Sequence, residues 1–355
     1  MPRQSVEQFG ERDIRKHETT ARSGILCAGA WCVDRNYTVN FWPAEETVST
    51  ILQQSDQGGC PGHNMATALK RLGAPFLVEA MGLIGKDEHG DHLSNICDEL
   101  GITRPALEQR KGVDTSLTLA MTAQDTKHRT FFHNPGALAI QCPDDFDFTH
   151  TSCSIVHLGL AGLMPRLDGR WQNEVSGWVA VLKKARAVGM CPNMEMVSIE
   201  PEKVRAAGLP LLDYLDTLII NDYEVGALAK VTTLNNGVTD VAACRKAAEK
   251  LMENSKLSMI AVHFPTGGIA LSRDGTAAQH PSVNVPKTEI IGNNGAGDCF
   301  AAGMLFGHHE AWSLMQSLKL AHAAAASSLR SAATTQSVVN WKECLAFADA
   351  WGWRG

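Results

Sequence analysis

Apolar residues in this chain gather into short unbroken runs more often than into strict alternation. Gly24-Ile25-Leu26-Cys27-Ala28-Gly29-Ala30 reads as a buried first strand, and residues 154–159 (SIVHLG), 190–196, 218–220 and 259–262 have the same character. Helical stretches separate these runs. One opens at Asn64 and closes at Gly73, a second covers 169–188 with a Trp171/Val175/Trp178/Val179/Leu182 stripe, and an Ala-rich third covers 318–329. Buried strands alternating with helices predict an α/β fold built on a doubly wound, mostly parallel sheet flanked by helices. Two stretches break the rhythm. Residues 36–57 and 115–133 are β-like with no helical period, the second folding around the polar turn Gln124-Asp125-Thr126-Lys127. They are expected to pair as one small sheet outside the main one, with lid segments at about 35–57 and 110–135 of a domain covering 23–355. Residues 1–22 are polar and charged, without the apolar segment of a signal peptide, and read as a mobile tail.

Composition narrows the class. With 355 residues, 44% hydrophobic and 20% charged, the chain has ample material for a globular core. A net charge of −6 without a Lys/Arg run argues against nucleic acid as partner. No apolar run approaches the ~18 residues of a membrane span. The ten cysteines are scattered without a CxxC pair, which favours a reducing cytoplasm over disulfides or zinc.

Three places carry candidate chemistry. Ile290-Ile291-Gly292-Asn293-Asn294-Gly295-Ala296-Gly297-Asp298 reads as strand end, tight loop and helix N-terminus. There the free N–H groups of Gly295, Ala296 and Gly297 can collect an anion, and Asp298 stands beside them as a carboxylate. A base next to an anion hole suits phosphoryl transfer to a hydroxyl, although a βα turn with a dipole-stabilising Asp has the same sequence. Asn221-x-x-Glu224 opens a helix after a buried strand, as a capping box or as a polar site. Asp34 closely follows the first strand, either as a turn residue or as a ligand group at the edge where α/β sheets bind substrates.

The run GAGDCFAAG (295–303), with the other features in the same order, resembles the ribokinase or PfkB-type family of carbohydrate kinases, over nearly everything after the tail. That resemblance implies ATP as phosphoryl donor with Mg²⁺, a sugar or sugar-like acceptor, Asp298 as catalytic base, and the amides of Gly295, Ala296 and Gly297 as anion hole. It implies acceptor contacts from Asp34, Gly58, Gly59 and Asn64 beneath the β lid. Asn221, Glu224, Gly268 and Asn294 would serve the nucleotide, with Glu224 at the metal, and the lid could also join two copies as a homodimer. Departures are visible. Gly292-Asn293 stand where the family has Asp-Thr, which leaves a monovalent cation open. His263 and Pro265 replace the Thr and first Gly of a nucleotide loop, and the Gly59 to Asn64 spacing is one residue longer than usual. A nucleoside kinase, whose base would stack on Trp42, Phe131 or Phe132, and a non-catalytic sugar-binding relative are the alternatives.

Overall fold

The computed structural model describes residues 22–126 and 128–355, so all of the expected tail but Arg22, and Lys127 of the lid turn, lie outside the described residues. Arg22 is tied down: its guanidinium donates to the carbonyls of Thr151 and Cys153 at 2.9 and 3.3 Å.

β1 (Ile25–Gly29) is buried at every position, and the chain then leaves the main sheet. β2 (Cys32–Val39) and β3 (Ile51–Gly59) pair antiparallel, with Cys32 opposite Gly59 and Asp34 opposite Gln57. α1 (Cys60–Arg71) follows directly, then β4 (Val78–Gly85), α2 (Glu88–Leu100) and β5 (Thr103–Arg110). β6 (Ser116–Ala123) runs parallel to β2, and β7 (Arg129–Asn134) antiparallel to β6, which completes a four-stranded lid in the order β3-β2-β6-β7. The expected small sheet is therefore present, starting three residues earlier than expected at Cys32, so that Asp34 belongs to a lid strand and not to a turn.

Beyond α3 (Gly136–Ile140), strand and helix alternate: β8 (Ile155–Ala161), α4 (Pro165–Asp168), α5 (Gly177–Ala187), β9 (Cys191–Met196), α6 (Pro201–Gly208), β10 (Thr217–Asn221) and α7 (Asp222–Ala229). A two-residue ladder, β11 (Leu234–Asn235) with β12 (Val238–Thr239), precedes α8 (Val241–Glu253). β13 (Met259–Phe264), β14 (Gly267–Ser272) and β15 (Ala277–Pro281) form an antiparallel end to the sheet, and α9 (Ala296–His309), α10 (Leu314–Ser328) and α11 (Trp341–Trp351) finish the chain.

The main sheet has the order β15-β14-β13-β10-β9-β8-β1-β4-β5, with β13 through β5 all parallel. The chain winds one way from β1 through β4 to β5 and the other way from β8 to β13. The switch point lies between β1 and β8, and ligands in such sheets bind outside the strands' C-terminal ends at that crevice. α1 covers β1 and β8 there, and α9 lies beside it against β10 and β13, with Cys299, Phe300, Met304, Leu305 and Phe306 all buried in one of two apolar cores. It approaches α10 closely at Gly303, where a Cβ would come within 2.5 Å of the Ala321 Cα. Truncating Leu305 to Ala would cost about 2–5 kcal/mol.

Three local readings need correction. Asn64 does not open α1 but sits in its second turn, because Pro61 is tolerated in the first turn and Gly59 takes the cap position. The helix expected over 169–188 is confined to α5, capped by the Ser176 hydroxyl accepting from Val179 N at 3.3 Å, and Trp171 lies before it in a turn paired with Glu174. Ile290-Ile291 is no strand end. Both side chains are exposed, and the Ile291 and Gly292 N–H groups donate to the Leu329 carbonyl at 2.8 and 3.2 Å, so no strand partner is available to them.

Candidate active site

Gly295 begins the site. Its φ of +77° suits glycine, and a Cβ there would come within 2.7 Å of Thr334, so both backbone and space call for this residue. It caps α9 without a side-chain hydrogen bond, which leaves the first-turn N–H groups of Ala296 and Gly297 turned outward at the positive end of the helix. Asp298 is the third residue of that helix, and instead of capping it reaches across to α1, where Asn64 Nδ2 donates to its Oδ2 at 3.0 Å. Asn64 is held in turn by the Thr334 hydroxyl donating to its Oδ1 at 2.9 Å. Burial, and next the neighbouring Glu195 carboxyl, push the Asp298 pKa well above the usual carboxylate range.

The lid's first strand brings Asp34 to the same place. Its carboxylate lies over Gly59, where any Cβ would overlap it, and Cys32 Sγ donates to Oδ1 at 3.5 Å. Burial raises its pKa to about 6 despite hydrogen bonds from Cys32 and Thr118, and the charge of Asp298 adds to the rise. The structure thus brings Asp34, Gly59, Asn64 and Asp298 together from β2, β3, α1 and α9. Gly58 is one step back on β3, against the His63 ring.

On the other side of the α9 N-terminus lies a cavity of about 630 Å³. Ala296, Gly297 and Phe300 form one wall, Ala325, Ala326 and Leu329 of the Ala-rich helix and its end another, and Asn221, His263 and Pro265 the strand-end rim. The His263 ring abuts Gly297, 3.5 Å from where a Cβ would stand, and burial lowers its pKa to about 4, so it is neutral. Asn221 and Glu224 make the capping box: Glu224 N donates to Asn221 Oδ1 at 2.8 Å and Asn221 N to Glu224 Oε2 at 3.2 Å. The other Glu224 oxygen accepts from the Ser198 hydroxyl at 2.9 Å, and burial raises the pKa of this nearly enclosed carboxyl. Asn221 thus stands at the cavity edge, while Glu224 caps behind it, off the lining.

Three residues expected at the nucleotide are off this lining: Glu224, Gly268 and Asn294. Gly268 is in β14, paired with His263 and turned toward His322 and Phe300, because the antiparallel hairpin carries it behind the rim. Asn294 is also off the lining, where Asn293 stands instead. Trp42, Phe131 and Phe132 do not pack beneath the lid: each is about half exposed, with Trp42 and Phe132 stacked at 6.3 Å. Sequence reasoning missed Glu195 and His157, both on strands with otherwise apolar faces. The polar residues Asn193 and Glu195, two apart in the buried run 191–196, were the signal that could have found them.

Residues 23–341 match the pfkB family carbohydrate kinase profile, and the chain belongs to that family. Among curated relatives it is 25% identical over 257 residues to a probable chloroplastic fructokinase-6 of Arabidopsis thaliana, covering 70% of this chain and 61% of that one. Among solved structures it superposes on Arabidopsis thaliana ribokinase complexed with ribose and ATP with a TM-score of 0.74, at 19% identity over 92% of this chain and 99% of the other. It superposes on a Burkholderia thailandensis nucleoside kinase in complex with inosine at 0.67, with 17% identity over 94% and 100%. These likenesses establish the α/β fold with its large, mostly parallel sheet and small four-stranded one. No helix among the described residues is long and apolar enough to cross a membrane.

Proposed function

We propose that this chain transfers a phosphoryl group from ATP to a hydroxyl of a sugar or sugar-like polyol in the cytoplasm. The observation that carries this reading is the Asp298 carboxylate, fixed by Asn64 beside the N-terminus of α9, between the polar side chains Asp34 and Asn64 on the lid side and a separate, mostly apolar cavity. An acceptor hydroxyl bound by Asp34 and Asn64 would lose its proton to Asp298 as its oxygen bonds to phosphorus and the donor's bridging oxygen departs. The amides of 295–297 hold the charge on the transferring group. The flat cavity between α9 and α10 suits the donor's base, with its phosphates directed at Gly297. Glu224, a buried carboxylate held behind Asn221 and Ser198, which line the cavity, would reach a Mg²⁺ ion there through water, and the ion would neutralise phosphate charge. No monovalent cation is part of this reading, since Gly292-Asn293 supply no carboxylate.

Polar groups rather than aromatic faces line the acceptor side, which favours a sugar. The exposed Trp42–Phe132 stack supports a second reading, a nucleoside acceptor whose base it covers, and an apolar lid face of this kind also suits pairing with a second copy. The test is ADP release from ATP and Mg²⁺ over a panel of free sugars and nucleosides, with size-exclusion chromatography of Phe132→Asp. Turnover of a free sugar supports the first reading, turnover of nucleosides alone promotes the second, and ADP release with neither class of acceptor overturns both. A mass unchanged by Phe132→Asp removes the lid dimer.

A further inference from the structure

A buried row of polar side chains crosses three central strands and ends at the base. Thr217 on β10 donates its hydroxyl to Asn193 Oδ1 on β9 at 2.9 Å, and Asn193 Nδ2 lies 2.8 Å from His157 Nδ1 on β8. All three are essentially sealed from solvent, and strand register sets them side by side. They lie in neighbouring central strands of the parallel sheet, where apolar residues are the rule. With Nδ1 accepting from Asn193, the proton of a neutral His157 is on Nε2, and burial keeps the ring neutral by lowering its pKa to about 4. That Nε2 faces Glu195 Oε2 at 3.4 Å, and among the described residues neither atom has another hydrogen-bond partner. Glu195, two residues beyond Asn193 on the same face of β9, brings its carboxyl beside that of Asp298, within reach of a shared hydrogen bond. Two carboxyl groups can bond only if one carries a proton. Burial, more than the charge of Glu224, raises the Glu195 pKa to about 7. The other groups facing the pair are Asn64 on α1 and Asp34 on β2.

We infer that Glu195, anchored through His157 by the Thr217–Asn193 row, is the positioning residue of the catalytic base and orients Asp298 through a shared proton. The inference rests on the reading of Asp298 as base. Its function is geometric: a base displaced by about 1 Å can lose about 10²-fold in rate. The arrangement also explains why three buried polar residues stand side by side across β8, β9 and β10.

Glu195→Ala should lower kcat by about 10- to 100-fold with the acceptor KM within about threefold of wild type. Glu195→Gln, whose amide can donate the same bond to Asp298, should recover kcat to within about threefold of wild type. Infrared spectra at pH 7 should show a protonated carboxyl band in the wild type that is absent from Glu195→Gln, where the amide donates in place of the proton and Asp298 stays ionised. Wild-type kcat in Glu195→Ala while Asp298→Asn is inactive overturns this inference alone, as does a band that persists in Glu195→Gln. Full activity in Asp298→Asn overturns the function reading and this inference with it.

Discussion

The two sides of the α9 N-terminus are built on opposite principles. Toward the lid, carboxyls crowd together at raised proton affinity: Asp34 at about 6, Glu195 at about 7 and Asp298 well above the usual carboxylate range, each driven chiefly by burial. Toward the cavity the rim carries a neutral His263, and the walls are Phe300, Ala325, Ala326 and Leu329. The first side is suited to gripping hydroxyls and taking a proton. The second gives a flat apolar ligand a place to lie, and the α9 amides between them belong to both. A chain that needed only to bind a sugar would have no use for the second side or for a proton-hungry carboxyl at the boundary.

The sharpest way to break that division is at the boundary itself. Asp298→Asn should reduce kcat by about 10²–10⁴-fold while acceptor and donor KM change little. It should also reveal the cost of keeping the charge there. A carboxyl whose folded pKa is raised binds more protons folded than unfolded, so its contribution to stability is present below its unfolded pKa near 4 and is lost as pH rises through the folded value. The melting temperature of Asp298→Asn relative to wild type should therefore increase between pH 5 and pH 8. A variant with more than about a third of the wild-type rate removes Asp298 as base, and a difference that shrinks with pH removes the charge argument.

Next in size is a change confined to the lid side. Gly59→Ala would drive a methyl group into the Asp34 carboxylate and should raise the acceptor KM about tenfold or more, leaving the donor KM unchanged. Asp34 accepts from hydroxyls with both oxygens, and most strongly, when ionised, so in the wild type the acceptor KM should climb below pH 6, by up to about tenfold per pH unit. An acceptor KM flat from pH 5 to 7 would place the acceptor elsewhere.

Legibility in the sequence divides along similar lines. Buried strands such as 25–29 and 259–264 could be read because parallel strands covered on both faces are continuous apolar runs, and the lid could be read because its two segments lack any helical period. Asp298, Asn64 and Asp34 were found through a short motif and its order along the chain. What stayed hidden depends on tertiary partners. Ile290-Ile291 has strand propensity but no strand to pair with, and Gly268 matches a family loop position yet turns behind the rim with the hairpin. Glu195 and His157 looked like stray polar residues because their meaning lies in contacts across β8, β9 and α9.

On the cavity side, Ala326→Phe should fill part of the 630 Å³ space and raise the ATP KM about tenfold, with the acceptor KM unchanged and kcat at saturating ATP within about threefold. Equal effects on both substrates would mean that the two sides are one pocket, and the division would fail.

The smallest expected effect concerns Glu224, where two roles overlap. As a capping residue it bonds the Asn221 N–H and orders the first turn of α7, and losing a cap costs about 1 kcal/mol. As a carboxylate near the phosphates it attracts a hydrated cation through water. Glu224→Gln keeps an oxygen for the cap and removes only the charge, so the two roles separate. The Mg²⁺ concentration for half-maximal activity should rise about three- to tenfold while the melting temperature moves by no more than a few degrees. Unchanged Mg²⁺ dependence with a lowered melting temperature would confine Glu224 to the cap. Burial already disfavours its charged form, so an ion that binds nearby should pull the carboxyl toward ionisation. Added Mg²⁺ with ADP should then stabilise the wild type more than Glu224→Gln in a thermal shift at pH 7, a comparison that needs no turnover and no knowledge of the acceptor.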